Sequence, residues 1–129
     1  NGADVVRVRK LFRDDLDDYK AKAEAVREAE IFEGCFAIST CPSEGIESPT
    51  VVGAQAANEL LDIAGMKASI VMTFYNNTIY LSARSIDEVN VQIIMERLGG
   101  GGHLTTAGAQ VSISPEEAIQ QIKEILAEE

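Results

Sequence analysis

Residues 69–84 hold the pattern that most restricts the fold of this chain. Two stretches of alternating apolar and polar residues, 69–75 and 78–84, flank the pair Asn76-Asn77. Alternation with a period of two is typical of a strand with one buried face. Because asparagine tolerates positive φ, the pair predicts a tight turn between two antiparallel strands. In that register Arg84 leaves the hairpin on the more polar face, and the apolar face consists of Ile70, Met72, Phe74, Ile79, Leu81 and Ala83.

The part of the chain before the hairpin predicts a long helix, a strand and a second helix. From residue 5 to residue 26, apolar side chains recur every three or four positions, as in an amphipathic helix. Four aspartates lie on its other faces, and we interpret them as a solvated surface rather than a metal site. Residues 36–40 predict a strand. Pro49 then predicts the start of a helix that is capped by Gly65.

The part after the hairpin predicts a helix, a glycine loop, a strand and a last helix. Ser85 and Glu88 have capping-box spacing and predict the start of a helix that stops at Gly99. Residues 109–113 alternate as a strand, and Ser114 is the predicted N-cap of the final helix. The whole pattern predicts a small α/β (α+β) domain. Its mixed sheet has four or five strands flanked by helices, with a long helix at the N-terminus.

A run of four glycines, residues 99–102, ends in His103, the only histidine of the chain. Glycine loses more backbone freedom on folding than any other residue, so four in succession are costly in an ordered domain. Successive N–H groups in such a loop can form an anion site, and an imidazole beside them can donate to an oxyanion. The run therefore indicates a phosphate site, with a flexible hinge as the alternative.

The charge balance restricts the ligand. Eleven basic and twenty-one acidic residues give a net charge of −10. A protein that grips a long nucleic acid usually has a basic stripe, and none is visible here. A small ligand with one or two phosphates remains compatible with this charge. The two cysteines, Cys35 and Cys41, have neither redox nor zinc spacing, and a single histidine cannot complete a ligand set. We expect both on a strand as small hydrophobes.

Arg84 and the glycine run are separated by a predicted helix of about 15 Å. The loop must fold back along the sheet to bring His103 near Arg84, whose guanidinium fork suits phosphate. The common phosphate motifs do not match, because no Lys-Ser or Lys-Thr follows the glycines and no GxGxxG phase fits. The run also follows a helix and precedes a strand, the reverse of those motifs. The sequence by itself thus predicts half of an active site.

Residues 98–109 resemble the GGGHxxAAG signature of the DHHA1 domain, the C-terminal half of DHH-family phosphoesterases. Residues 54–61, 82–85 and 90–98 are similar to one branch, the membrane-anchored cyclic-di-AMP phosphodiesterases that contain a GGDEF domain. The likeness covers most of residues 31–129. It implies a linker helix over 1–30 and a DHHA1 substrate-binding domain over 31–129.

In that family, a preceding DHH domain holds two divalent metal ions, usually manganese, through an Asp-His-His motif that is absent here. The resemblance implies that this chain holds no catalytic metal or cofactor and that the fragment alone is inactive. Its partners would be the upstream DHH domain and a cyclic dinucleotide or short oligonucleotide, which is hydrolysed to a linear dinucleotide. The domain would be cytoplasmic without direct membrane contact, in a protein anchored to the bacterial membrane; a homodimer stays open.

The resemblance also implies which residues bind. His103 would support catalysis by stabilising the phosphate as charge develops on it. The substrate-binding residues would be Arg84, Ser85, Asn90, Gly100, Gly101, Gly102, His103 and Thr105.

Two positions depart from the family pattern, and two alternative functions remain. Thr106 stands in place of the first alanine of the signature, and Asn58 stands where an aspartate is expected. One alternative is the substrate-binding domain of a RecJ-like or oligoribonuclease-type nuclease. The other is an RNA-binding or dimerisation module like the tail of alanyl-tRNA synthetase.

Overall fold

A six-stranded mixed sheet with helices on both faces forms the part of the chain that this computed structural model describes, residues 16–128. The sheet order is β1-β2-β3-β4-β6-β5. The strands are β1 (Glu30–Phe32), β2 (Phe36–Cys41), β3 (Ala68–Tyr75), β4 (Thr78–Ser85), β5 (Gly101–Gly102) and β6 (Thr106–Val111). The helices are α1 (16–27), α2 (Pro49–Leu61), α3 (Val91–Arg97) and α4 (Pro115–Leu126).

The central hairpin is confirmed residue by residue. β3 and β4 pair antiparallel with Phe74 opposite Ile79, and the turn residues Asn76 and Asn77 have φ values of 52° and 60°. Among the described strands, only β2 and β3 pair in parallel, and α2 makes the crossover between them. The mixed-sheet prediction therefore holds. The short strands β1 and β5 raise the strand count above the four or five expected.

Each face of the sheet has its own core. On one face, α3 and α4 pack Ile94 and Ile122 against β3 and β4. On the other face, α2 packs Leu60 against Val71, and α1 adds Ala21 and Ala25. No helix in the described part, residues 16–128, is long and apolar enough to cross a membrane. The predicted extension of the first helix to residue 5 lies outside the described residues.

Helix α2 lies close to the sheet because Gly53 has no side chain. A Cβ on Gly53 would collide with the Thr73 hydroxyl oxygen, which is buried and has no hydrogen-bond partner in the described structure. At its other end, α2 stops at Leu61, earlier than predicted. Gly65 lies in the following turn with φ +88°, and the Met66 N–H donates to the Ile63 carbonyl at 3.1 Å. A turn that needs positive φ at its third residue explains this glycine.

Two further boundaries differ from the prediction. Helix α3 starts at Val91, because Ser85 remains in β4 opposite Ala68 and does not cap a helix. Strand β6 covers Thr106–Val111 instead of 109–113, because its pairing with β4 extends to Thr106 opposite Arg84. The final helix agrees with the prediction: the Ser114 side chain accepts from the Glu117 N–H at 3.2 Å.

Candidate functional site

The glycine run begins as a helix cap, as predicted. Gly99 has φ +87° and donates its N–H to Glu96 at 3.1 Å, while the Gly100 N–H donates to Met95 at 2.8 Å. This pair of bonds is the Schellman arrangement, which satisfies the last carbonyls of a helix and needs a left-handed residue. The first glycine of the run is therefore explained by the end of α3.

The next three glycines are not equivalent. A Cβ on Gly100 would lie 2.6 Å from the Ala109 Cα, and a Cβ on Gly102 would lie 2.6 Å from the Thr106 carbonyl oxygen. Both glycines let β5 approach β6 closely. A Cβ on Gly101 would meet nothing within 4 Å, and its φ is outside the left-handed range. Gly101 is thus the one member of the run whose lack of a side chain the fold does not require.

The loop folds back to β4, as the sequence analysis required. The His103 N–H donates to the Thr106 carbonyl at 2.7 Å, which closes a tight hairpin between β5 and β6. The tip of this hairpin reaches the end of β4: the Ser85 N–H donates to Thr105 at 3.0 Å, and the Val91 N–H donates to Leu104 at 2.9 Å. The backbone of the tip therefore joins β4 to the start of α3.

This hairpin brings Arg84 and His103 to the same face of the sheet. Arg84 pairs with Thr106, which in turn pairs with His103, so the three residues form one cross-strand row. Two strand spacings separate Arg84 from His103, about 10 Å between Cα atoms. The neighbouring row on the same face consists of Ser82, Gly108 and Gly101.

Beside these rows is an open groove of about 540 Å³; Ser82 and Gly108 line it, whereas the Arg84 row and Gly101 do not. Helix α2 packs over β2, β3 and β4, and β6 and β5 extend beyond it. The groove therefore runs along the uncovered strands, with α2 as its wall. Its lining includes Thr50, Tyr80, Ser82, Gly100, Gly108 and Gln110.

Arg84 is a half-buried cation held by neutral groups. Its Nε donates to the Asn58 Oδ1 at 2.9 Å, and its Nη1 donates to the Ala83 carbonyl at 2.9 Å. Across residues 16–128, no carboxylate lies within 4.0 Å of it. Burial lowers the pKa of the Arg84 guanidinium from its ordinary value, because desolvation disfavours the charged form. Asn58 thus orients Arg84 without neutralising its charge.

In three of the predicted binding residues, polar groups that could bind a ligand make hydrogen bonds within the fold instead. The Ser85 hydroxyl is buried and donates to the Val89 carbonyl at 2.6 Å. The Asn90 Oδ1 caps α3 by accepting from the Ile93 N–H at 3.2 Å. Thr105 supplies the backbone carbonyl described above. Their roles in binding remain predictions, and of all the predicted binding residues only Gly100 lines the groove.

The described residues do not fit a metal site, and one of the two cysteine thiols is fully buried. Between residues 16 and 128, no group of three or more His, Cys, Asp or Glu side chains could hold a metal ion. Burial raises the pKa of the Cys41 thiol to about 11, with a further contribution from Glu24. Cys41 lies in β2, as expected of a small hydrophobe, whereas Cys35 is half-buried just before that strand.

Sequence reasoning missed most of the groove residues, among them Tyr80, Gln110 and Thr50. Tyr80 and Gln110 pair directly across β4 and β6 on the Arg84 face. The alternation in β4 already placed Tyr80 on that face, but the sequence did not show that β6 pairs with β4, which brings Gln110 opposite Tyr80. Thr50 had no signal, since only the packing of α2 brings it to the groove.

Comparison with known proteins agrees with the resemblance seen in the sequence. Two relatives are called cyclic-di-AMP phosphodiesterase GdpP. The one from Geobacillus thermodenitrificans is 42% identical over 127 residues, covering 97% of this chain and 19% of the relative. The one from Bacillus subtilis is 40% identical over 130 residues, covering 98% of this chain and 20% of the relative. The chain thus spans about a fifth of the length of the curated relatives it matches.

The fold and the family are also matched directly. An exopolyphosphatase-related protein from Bacteroides fragilis superposes with a TM-score of 0.75 at 18% identity, over 86% of this chain and 34% of that protein. At this identity the likeness shows a shared fold alone. The family model of the DHHA1 domain matches residues 34–129. The chain therefore belongs to the DHHA1 domain family.

Proposed function

We propose that the sheet face beside the groove, with Arg84, Gly101 and His103, binds a phosphate of a cyclic dinucleotide and that the chain is the substrate-binding part of a cyclic-di-AMP phosphodiesterase. The observation that carries the proposal is the uncompensated charge of Arg84 on the same sheet face as Gly101 and His103. Similarity to the two GdpP proteins supports cyclic-di-AMP as the ligand.

Arg84, Gly101 and His103 divide the work of holding the phosphate. Arg84 keeps donors on its second terminal nitrogen, Nη2, for phosphate oxygens, because Asn58 and Ala83 take bonds from Nε and Nη1. Gly101 leaves open space where a phosphate can approach the backbone. The exposed His103 imidazole donates to a phosphate oxygen and offsets charge that develops during hydrolysis. The product is a linear dinucleotide.

The remaining parts of the site lie outside this chain in our proposal. An upstream DHH domain of the same protein would hold two manganese ions and supply the attacking water, which follows from the family resemblance. The described residues offer no ligand set for such ions. The chain alone is therefore expected not to hydrolyse cyclic-di-AMP. We place it on the cytoplasmic side of a membrane-anchored protein and leave its self-association to measurement.

The test is Arg84→Ala in the longer protein that contains this chain. Loss of a preorganised donor to phosphate typically costs about 100- to 1000-fold in turnover, so we expect kcat/KM for cyclic-di-AMP to fall by that order. Arg97→Ala is the matched control, because Arg97 is an exposed cation on α3 that pairs with Glu128. Thermal unfolding of both variants checks that the fold is kept.

Two results would contradict the proposal. One is wild-type kcat/KM in Arg84→Ala. The other is faster turnover of linear dinucleotides than of cyclic-di-AMP by the unmodified protein, which would favour an oligonucleotide substrate. An equal loss in Arg97→Ala would point to a general effect of net charge and also count against a phosphate site at Arg84.

A further inference from the structure

The groove lies beside the proposed phosphate-binding residues and contains a polar aromatic pair. Tyr80 and Gln110 are cross-strand partners and lie on the same face as Arg84, two rows along β4. Tyr80 is half-buried and Gln110 is exposed, and both line the groove. Thr50 of α2 lines the opposite wall. This end of the groove therefore combines an aromatic ring with a side-chain amide and a hydroxyl.

These groups match a nucleobase. An aromatic side chain offers a surface on which a base stacks, whatever its identity. A glutamine amide has one acceptor and two donors, and it pairs in two hydrogen bonds with the N6 and N7 edge of adenine. None of the described residues that line the groove carries a charge. The lining thus suits a neutral, planar, hydrogen-bonding group better than a second phosphate.

The Tyr80 ring also has an aromatic neighbour. The Tyr75 ring lies 6.4 Å away, centroid to centroid, at an interplanar angle of 47°. Aromatic pairs at such separations are mutually stabilising. Tyr75 itself does not line the groove. The pair restricts the motion of Tyr80, and a restricted ring loses less entropy when a base stacks on it.

The spacing of the rows matches one nucleotide. Successive rows on one face are two residues apart along β4, about 7 Å. The middle row contains Gly108 and Gly101, which have no side chains to fill the floor. A phosphate held above this row by Arg84 from one side leaves its ribose to bridge toward Tyr80. Gln110 then lies beside the base rather than beside the phosphate.

We propose that Tyr80 and Gln110 form a nucleobase subsite that prefers adenine over guanine. The proposal rests on the proposed function, because it takes the phosphate to lie between Arg84 and Gly101. Tyr80 supplies the stacking surface and Gln110 reads the edge of the base. The preference arises because guanine presents acceptors at O6 and N7, so only one of them can pair with an amide in that orientation.

The test is the binding of AMP, GMP and ribose 5-phosphate to the longer protein, measured by calorimetric titration. We expect Tyr80→Leu to weaken the binding of AMP by about tenfold and to leave the binding of ribose 5-phosphate unchanged, because only AMP has a base to stack. Gln110→Ala should reduce the preference for AMP over GMP by about tenfold. Tyr19→Leu is the control, since Tyr19 is exposed on α1 and outside the groove.

The three ligands separate failure of this subsite from failure of the phosphate site. Arg84→Ala should weaken the binding of AMP and of ribose 5-phosphate to the same extent. If it does so while Tyr80→Leu and Gln110→Ala leave AMP binding and base preference unchanged, the base subsite is wrong and the phosphate site stands. If Arg84→Ala changes the affinity for neither AMP nor ribose 5-phosphate, the proposed function is wrong. Should Tyr80→Leu fail to fold, exposed Gln110 gives the deciding variant.

Discussion

The two faces of β4 and β6 are built from alternate residues of the same strands and have opposite roles. On one face, Ile79, Leu81 and Ala83 are at most 3% exposed beneath α3 and α4. On the other face, Tyr80, Ser82 and Arg84 are each partly exposed. Helix α2 covers this second face only as far as β4. The groove thus exists because the second helical layer is narrower than the sheet.

Polarity alone does not distinguish a site from a core on this sheet. Ser69 and Thr73 of β3 share the groove face in register, yet both are buried beneath α2. The Ser69 hydroxyl donates to the Ala57 carbonyl at 2.6 Å, whereas Thr73 has no described partner. A polar strand face therefore becomes a candidate site only where no helix lies over it.

Substitutions at two neighbouring residues of β4 test the difference between the two faces, and they are expected to give the largest change in stability. Leu81→Ala removes a buried side chain from the core face and should lower the free energy of unfolding by about 2–5 kcal/mol. Ser82→Ala, one residue away on the groove face, should change it by no more than about 0.5 kcal/mol. Chemical denaturation followed by circular dichroism measures both. Equal losses would mean that the groove face is also a packed core.

A pair of glycine substitutions tests whether the run combines structural and binding positions. Gly100→Ala should destabilise the fold by about 1–3 kcal/mol, because its Cβ collides with the β6 backbone. Gly101→Ala meets open space and should leave stability unchanged, but it should weaken cyclic-di-AMP binding by on the order of tenfold. Thermal unfolding and titration of the longer protein give the two readouts. Unchanged binding in Gly101→Ala would remove this position from the site.

The neutral contact between Asn58 and Arg84 predicts a smaller, opposing pair of effects. Asn58→Asp would place a carboxylate on the guanidinium and form an ion pair, which should raise stability by up to about 1 kcal/mol. The same charge compensation should weaken phosphate binding about fivefold, and high salt should reduce the difference. Titration at two ionic strengths checks this. Tighter binding in the aspartate variant would show that orientation of Arg84 matters more than its free charge.

The buried hydroxyl of Thr73 predicts the smallest effect. Thr73→Val removes an unpartnered polar group at nearly constant shape and should stabilise the fold by about 1 kcal/mol. Ser69→Ala is the matched variant, and it should destabilise by a similar amount because it removes a made hydrogen bond. Urea denaturation of both compares them. Destabilisation by Thr73→Val would indicate that this hydroxyl has a partner.

Local patterns predicted the elements whose signals are complete within a few residues. The hairpin at Asn76-Asn77, the cap at Ser114 and the stop at Gly99 are all confirmed. The start of α3 was wrong, because a capping-box spacing at Ser85 competes with the continuation of β4. The start of β6 was wrong as well, since Thr106 to Gly108 carries no large apolar residue to mark a strand.

The binding roles of the predicted site residues stay predictions, and of these residues only Gly100 lines the groove. Arg84, Gly101 and His103 came from the sequence and its family resemblance, and the structure brings them to one face. Ser85 and Asn90 came from the same source, but their polar side chains cap or close backbone turns. Spacing along the chain cannot distinguish a side chain that binds a ligand from one that makes a hydrogen bond within the fold. Which face a residue occupies depends on strand register.

By itself, the sequence determined the alternation of strands, the helix caps and the glycine run, because these depend on backbone conformation over a few residues. Tertiary structure alone decided that β6 pairs with β4, that Gly101 is the glycine free of packing, and that α2 leaves β6 and β5 uncovered. Each of these depends on contacts between residues far apart in the chain. The register of β6 against β4 therefore set where the groove lies.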